Sequence, residues 1–291
     1  DDHAIMGDYD AGDLPRRTFD LAVSFLSVGL DPEQSTIFVQ SDVPEHTELA
    51  WLFNSVTPVG ELERMTQYKD KASRAASIPA GLLNYPILQA ADILIYRASL
   101  VPVGEDQVQH LEFSREIARK FNARFGELFP EPAAFLGKAK RIVGLDGEAK
   151  MSKSLGNTVG VLAEPDEVWD RVRTAVTDPQ RVRKTDPGRP EICNVFDLHG
   201  YFTDAAARKE IARQCRTAEI GCVQCKRILA DNISRDFEPY RERAAELRAH
   251  PDRLKEILHE GGRRARLMAR DTLDRARELM GLEWDRYSPD A

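Results

Sequence analysis

No apolar run in this 291-residue chain is long enough to cross a membrane. The longest, Leu82 to Tyr96, is interrupted by Asp92, and a spanning helix needs about 20 apolar residues. No basic segment followed by an apolar stretch opens the chain, which begins Asp1-Asp2-His3. No secretion signal is therefore visible, and the cytoplasm is the expected compartment. Internal repeats and low-complexity tracts are missing too. Cysteine is scarce: four residues, all between 193 and 225, and a cytoplasmic chain does not use them as disulfides. A basic excess is also lacking, since 41 Lys and Arg stand against 48 Asp and Glu, giving a net charge of −7. That balance does not exclude a nucleic-acid partner, because the distribution of charge matters more than its sum.

What is present describes a soluble globular chain of one or two domains: 42% hydrophobic and 31% charged residues suffice for a large core. Helical periodicity runs through Leu21–Leu30, Glu45–Ser55, Glu61–Lys71, Ala80–Tyr96 and Glu105–Phe125. Short apolar strands are predicted at Thr36–Gln40 and Leu100–Val103. This alternation indicates a parallel α/β sheet. Beyond about residue 160 every periodic segment is helical: Asp166–Ala175, Asp204–Cys215, Cys222–Glu246, Asp252–Glu260 and Gly262–Met280. The predicted division is an α/β domain over 1–158 and a helical domain over 159–291.

Three stretches carry chemistry. The first is Lys150-Met151-Ser152-Lys153-Ser154, where two ammonium groups and two hydroxyls on one polar loop suit a polyphosphate. The second is the helix Tyr85–Tyr96. Tyr85, Gln89 and Asp92 share a face at i, i+4 and i+7, and a carboxylate on an apolar face needs a partner. An arginine elsewhere in the chain and a ligand both remain open as that partner. The third is Val101-Pro-Val-Gly-Glu-Asp-Gln107. There a strand ends, Gly104 opens a turn, and Asp106 and Gln107 begin a helix. Ligands bind at such carboxyl ends of strands, although glycine followed by an acid is also an ordinary helix start.

The lysine string resembles the KMSKS signature of class I aminoacyl-tRNA synthetases. Gly60–Lys71, Tyr85–Tyr96, Val101–His110 and Asp2–Ile5 all resemble tryptophanyl-tRNA synthetases, in the same order from residue 1 to the C-terminus. The resemblance implies a Rossmann-like catalytic domain, an all-helical anticodon-recognition domain, and a tryptophan–tRNA ligase active in protein biosynthesis. It implies that Asp92 accepts the indole N–H of L-tryptophan, that Tyr85 and Gln107 hold its ammonium group, and that Val101, Val103 and His3 line the pocket. Gly104, Glu105 and Asp106 would contact the ATP ribose and Ile142 the adenine. Lys71, Lys150 and Lys153, with Met151, Ser152 and Ser154, would hold the phosphates beside Mg²⁺. A homodimer and a tRNA(Trp) partner are implied as well. Indole has one polar atom, a donor, so one buried acceptor suits it. Phenylalanine would leave that acceptor unpaired, a mismatch worth on the order of 10⁴ in discrimination.

The family's other signature, a HIGH-like turn on the first strand–helix unit, does not occur in this sequence. The expectation is a chain lacking that unit and half of the ATP pocket. Tyrosyl-tRNA synthetase, or a non-catalytic relative that binds tryptophan or tRNA, are the competing readings. Cys193, Cys215, Cys222 and Cys225 are separated by 21, 6 and 2 residues, and four clustered thiols suggest a metal. They resemble the subset of these synthetases that carries a [4Fe–4S] cluster. The first spacing is one residue shorter than in that subset, which leaves zinc open. Six arginines between Arg263 and Arg277 are interspersed with acids, which a solvated helix face explains.

Overall fold

The computed structural model describes residues 1–7, 9–66, 68–69, 78–136, 142–152 and 155–283. By internal contacts the chain divides into two compact units. The first gathers the described residues within Asp1–Ala22, Asp31–Lys138 and Pro251–Ala291; the second gathers those within Val23–Leu30 and Ala139–His250.

In chain order the helices are α1 (Leu14–Ser27), α2 (Glu45–Phe53), α3 (Val59–Leu62), α4 (Ala80–Leu94), α5 (Val108–Phe125), α6 (Pro165–Val172), α7 (Asn194–Phe202), α8 (Ala205–Arg216), α9 (Cys222–Ala249) and α10 (Pro251–Leu279). The strands are β1 (Leu100–Val103) and β2 (Ala133–Leu136). Among the described residues no helix is long and apolar enough to cross a membrane.

In the first unit, β1 and β2 pair in parallel, Leu100 opposite Ala133 and Val103 opposite Leu136. Two parallel strands need a crossover between them, and α5 supplies it. The parallel α/β expectation therefore holds. Apolar residues cover most of α4, which buries Leu82, Tyr85, Ile87, Leu88, Ala90, Ala91 and Leu94. A helix apolar on most sides belongs in a core, and α4 packs on both α2 and α5. Phe53, Phe121 and Phe129 fill the centre, with ring centroids 4.8 to 6.2 Å apart.

Several elements differ from the sequence-based expectation. Thr36–Gln40 forms no strand. Its apolar run satisfies a strand pattern, but a strand also needs a hydrogen-bonded neighbour, and none is paired with it among the described residues. Helix α10 packs there instead. A Cβ on Gly261 would lie 1.9 Å from the Ile37 carbonyl oxygen, so only glycine permits that approach. The two helices expected on either side of Gly261, Asp252–Glu260 and Gly262–Met280, are one continuous helix of 29 residues. That helix buries Ala265, Ala269, Leu273 and Ala276 among Val43, Leu49, Phe53 and Leu94. Residues 159–291 are thus not one compact body, because α10 contributes its apolar stripe to the first unit. The sequence reading also lacked β2 and α7. Both are short, and neither carries a long periodic pattern.

In the second unit, α6 and α7 pack against α9 around Leu145, Val168, Val172, Val195, Leu198, Leu229 and Ile233. Asp204 caps α8 by accepting from the backbone N–H groups of Ala206 and Ala207, which satisfies two donors that the first helical turn leaves free.

Candidate active site

In the first unit the site is organised by Asp92. Helix α4 presents its carboxylate in a largely apolar wall, with 24% of the side chain exposed. His3 Nε2 lies 2.9 Å from Oδ2 and His46 Nδ1 2.5 Å from Oδ1. Gln40 Nε2 donates to both oxygens, at 2.8 and 3.0 Å. An ionised carboxylate only accepts, so both histidine nitrogens donate to it. No arginine is among these partners. Burial alone would raise the Asp92 carboxyl. The hydrogen bonds from His3 and His46 outweigh it and hold the group down at about 2, so the anion persists at neutral pH.

Tyr85, two turns earlier on the same face of α4, is buried and shares a hydrogen bond of 2.9 Å with His110 Nε2. Its ring meets His3 edge-on at 6.5 Å, and burial raises its hydroxyl pKa. Gln89 Nε2 donates to Gln107 Oε1 at 3.3 Å, which ties α4 to the turn after β1. Val101 and Val103 alternate with more exposed neighbours along β1. The structure therefore brings together His3, Tyr85 and Asp92, and connects Gln107 to the same helix through Gln89. At Gly104 a Cβ would stand 2.7 Å from Asp106 Oδ1. The missing side chain is what lets that carboxylate fold back over the turn. Glu105 and Asp106 face solvent. Gln40, His46 and Tyr96 were not singled out from sequence; only the four-residue spacing of Asp92 and Tyr96 within the periodic stretch Ala80–Tyr96 could have pointed to the last.

The lysine loop lies in the second unit. Lys71, Lys153 and Ser154 lie outside the described residues. Lys150 pairs with Val143 in an antiparallel bridge, and Met151 N–H donates to the Ile142 carbonyl at 2.9 Å. The stem is therefore a small hairpin turning at Asp146, whose Oδ1 accepts from the Glu148 and Ala149 N–H groups. Asn157, buried, fastens it. Its Oδ1 accepts Ser152 N–H at 2.7 Å, and its Nδ2 donates to Asp146 Oδ2 at 2.6 Å and to the Lys150 carbonyl at 3.3 Å. Gly144 has no room for a side chain, because a Cβ would meet Asn157 Nδ2 at 2.1 Å. Lys150 and Ile142 face outward. The backbone N–H groups of the Asp146 turn hold the Asp146 carboxyl below its usual range, and Asn157 adds to them.

The four cysteines are free thiols of the second unit. Cys193 precedes α7, Cys215 lies in the last turn of α8, and Cys222 and Cys225 open α9. Arg181 Nη1 donates to Cys215 Sγ at 3.6 Å, and Cys225 Sγ lies 3.4 Å from His199 Nε2. Burial raises the Cys225 thiol to about 12, helped by the charges of the other three cysteines. The thiols share a neighbourhood. Even so, among the described residues no three side chains of His, Cys, Asp or Glu are placed to hold one metal ion, so the expected thiolate cage is not formed by this arrangement.

The arginines of α10 are largely engaged. Arg266 and Arg270 both bond Glu45 Oε1, at 2.8 and 2.9 Å, Arg277 pairs with Glu48 and Arg263 with Glu260. The first two are packing contacts as well as surface charge.

Residues 1–238 match the family model of class I tRNA synthetases for tryptophan and tyrosine. The tryptophan–tRNA ligase of Deinococcus radiodurans is 52% identical over 282 residues, which span 96% of this chain and 86% of that protein. The enzyme of Thermotoga maritima is 44% identical, covering 96% and 87%. The crystal structure of tryptophanyl-tRNA synthetase from Campylobacter jejuni complexed with ADP and tryptophan superposes with a TM-score of 0.89 at 38% identity, over 96% of this chain and 87% of that one. These matches favour the tryptophan enzyme over the tyrosine one, and the chain belongs to the class I tryptophanyl-tRNA synthetases.

Proposed function

We propose that this tryptophan–tRNA ligase reads its amino acid through Asp92. The carboxylate, kept ionised inside an apolar wall by histidine and glutamine donors, is the observation that carries the reading. It would accept the indole N–H, while Val101 and Val103 pack on the ring, His3 lines the pocket, and Tyr85 and Gln107 hold the ammonium group. Gly104, Glu105 and Asp106 would take the ATP ribose, and Ile142 the adenine. Lys71, Lys150 and Lys153, with Met151, Ser152 and Ser154, would lie along the phosphates. The tryptophan carboxylate then attacks the α-phosphate, pyrophosphate leaves, and the aminoacyl group passes from the adenylate to the terminal ribose of tRNA(Trp). Neither step needs a protein nucleophile, so the residues act by positioning and by charge. Mg²⁺ would enter with the nucleotide, and no protein ligand is assigned to it.

Calorimetry on Asp92→Ala tests the pocket. Loss of a hydrogen bond to a charged acceptor should weaken tryptophan binding by roughly 10- to 100-fold. Unchanged affinity would remove Asp92 from the site.

Two further parts of the reading have their own tests. A homodimer through the first unit is supported by Trp51, 75% exposed on α2, beside an open 170 Å³ cleft bordered by Met6, Asn84 and Leu88. Light scattering that returns a monomer would reject it. For Cys193, Cys215, Cys222 and Cys225, a [4Fe–4S] cluster or zinc rests on their spacing and shared neighbourhood, not on ligand geometry. Iron, sulfide and zinc assays on protein purified without oxygen decide between the two, and metal-free protein rejects both.

A further inference from the structure

A carboxylate that must recognise a single N–H needs more than charge, because its lone pairs have to point the right way. Asp92 has about four acceptor positions in its plane, and His46, His3 and Gln40 already reach each oxygen twice. A ligand N–H can bind only where one of these donors gives way. The donors differ sharply in how firmly they are held. The His3 side chain is 35% exposed, and that of His46 only 3%. Both ring nitrogens of His46 are engaged. Nδ1 donates to Asp92 Oδ1, and Nε2 lies 2.7 Å from the Tyr96 hydroxyl. The imidazole is also fixed edge-on between Tyr96 and Phe38, at 5.4 and 5.9 Å.

We propose that His46, oriented by Tyr96, is a positioning residue that anchors Oδ1 of Asp92 and so leaves Oδ2 as the oxygen exchanged to the substrate N–H. The inference rests on the assignment of Asp92 to the indole and adds the device that aims it. With Nδ1 committed as a donor, the tautomer that carries its proton there leaves Nε2 to accept from the Tyr96 hydroxyl. The chain then runs in one direction, from phenol to imidazole to carboxylate. Burial raises the Tyr96 pKa, and the negative charges of Asp92 and Glu45 raise it further, so the phenol keeps the proton it donates. Such a second layer of hydrogen bonds commonly decides whether a recognition group is held to within the tolerance its task needs.

The experiment compares tryptophan with its isostere in which sulfur replaces the indole nitrogen, so that only the N–H differs. Dissociation constants for both are measured by calorimetry on the full chain, with thermal unfolding as a control. Wild-type protein should prefer tryptophan by about 10-fold or more. In His46→Phe and in Tyr96→Phe the preference should shrink several-fold, mainly because tryptophan weakens while the sulfur analogue does not. His46→Asn, whose amide can replace the Nδ1 donor, should recover part of it. Equal weakening of both ligands in the His46 and Tyr96 variants would mean that they only support the fold and would overturn the proposal, as would an unaltered ratio. The underlying assignment fails separately, if wild-type protein shows no preference or if Asp92→Ala keeps the wild-type ratio.

Discussion

An ionised group inside an apolar helix is a stability device as well as a recognition group, and at Asp92 the two roles share the same bonds. Its carboxyl is held at about 2 against an ordinary 3.8. A depressed carboxyl stabilises the fold at any pH above its unfolded value and loses that contribution as the pH falls through the folded one. The window is therefore roughly pH 4 down to pH 2, and the contribution is about 2 kcal/mol. Urea unfolding at pH 5 and pH 2 should show wild-type protein losing about 2 kcal/mol more than Asp92→Asn. Equal losses would mean that the histidines do not hold the anion. The subtraction matters because other carboxylates also protonate in this range, and only the difference isolates this one. From sequence, the lone acid on an apolar face was legible, because burying a charge is costly enough to stand out. Its partners were not. His3, Gln40 and His46 come from other segments, 89, 52 and 46 residues away, and no local pattern encodes such a convergence.

At the scale of elements, the hairpin that carries Lys150 depends on one amide. Asn157 satisfies Ser152 N–H, Asp146 and the Lys150 carbonyl at once, and it fills the space that Gly144 leaves open. Asn157→Asp keeps the acceptor for Ser152 but removes both donated bonds, and it sets a second carboxylate against Asp146. Both lost bonds start from the buried Asn157 amide, so the stem should loosen while the tryptophan pocket does not. The expected result is a KM for ATP raised several-fold in pyrophosphate exchange, with tryptophan affinity unchanged. Unaltered ATP kinetics would show that the stem is indifferent to Asn157. The KMSKS-like string announced itself through its five residues. The asparagine three positions beyond it carried no signal of its own, since a polar residue after a turn is ordinary. Helices with long apolar stripes, such as α4 and α9, were readable for the opposite reason: a 3.6-residue period sustained over several turns fits a helix and little else. The Thr36–Gln40 run had only five residues, too few to separate a strand from a packed extended segment.

The chain as a whole is not divided where its composition changes. The α/β texture ends near residue 160, yet the last helix returns to the first unit. Two features bind it there. Ala265, Ala269, Leu273 and Ala276 complete the apolar core, and Arg266 and Arg270 neutralise Glu45, whose side chain is 7% exposed. Burial by itself would raise the Glu45 carboxyl, and the two guanidinium groups reverse that. Sequence composition cannot show this, because a helix rich in alanine and arginine reads the same whether its small residues face solvent or a neighbouring core. A chain ending at His250 would therefore strip the first unit of part of its core and remove both cations that hold Glu45. Losing the buried Leu273 and its alanine neighbours costs several kcal/mol, a large share of the ~5–15 kcal/mol by which a domain is stable. Such a truncated chain should bind the hydrophobic dye ANS and lose its near-ultraviolet dichroism, whereas Glu45→Gln in the full chain should fold with a lowered Tm. If the chain ending at His250 instead melted cooperatively at the wild-type temperature, α10 would be an appendage, and the helical region from 159 onward would regain its standing as a separate domain.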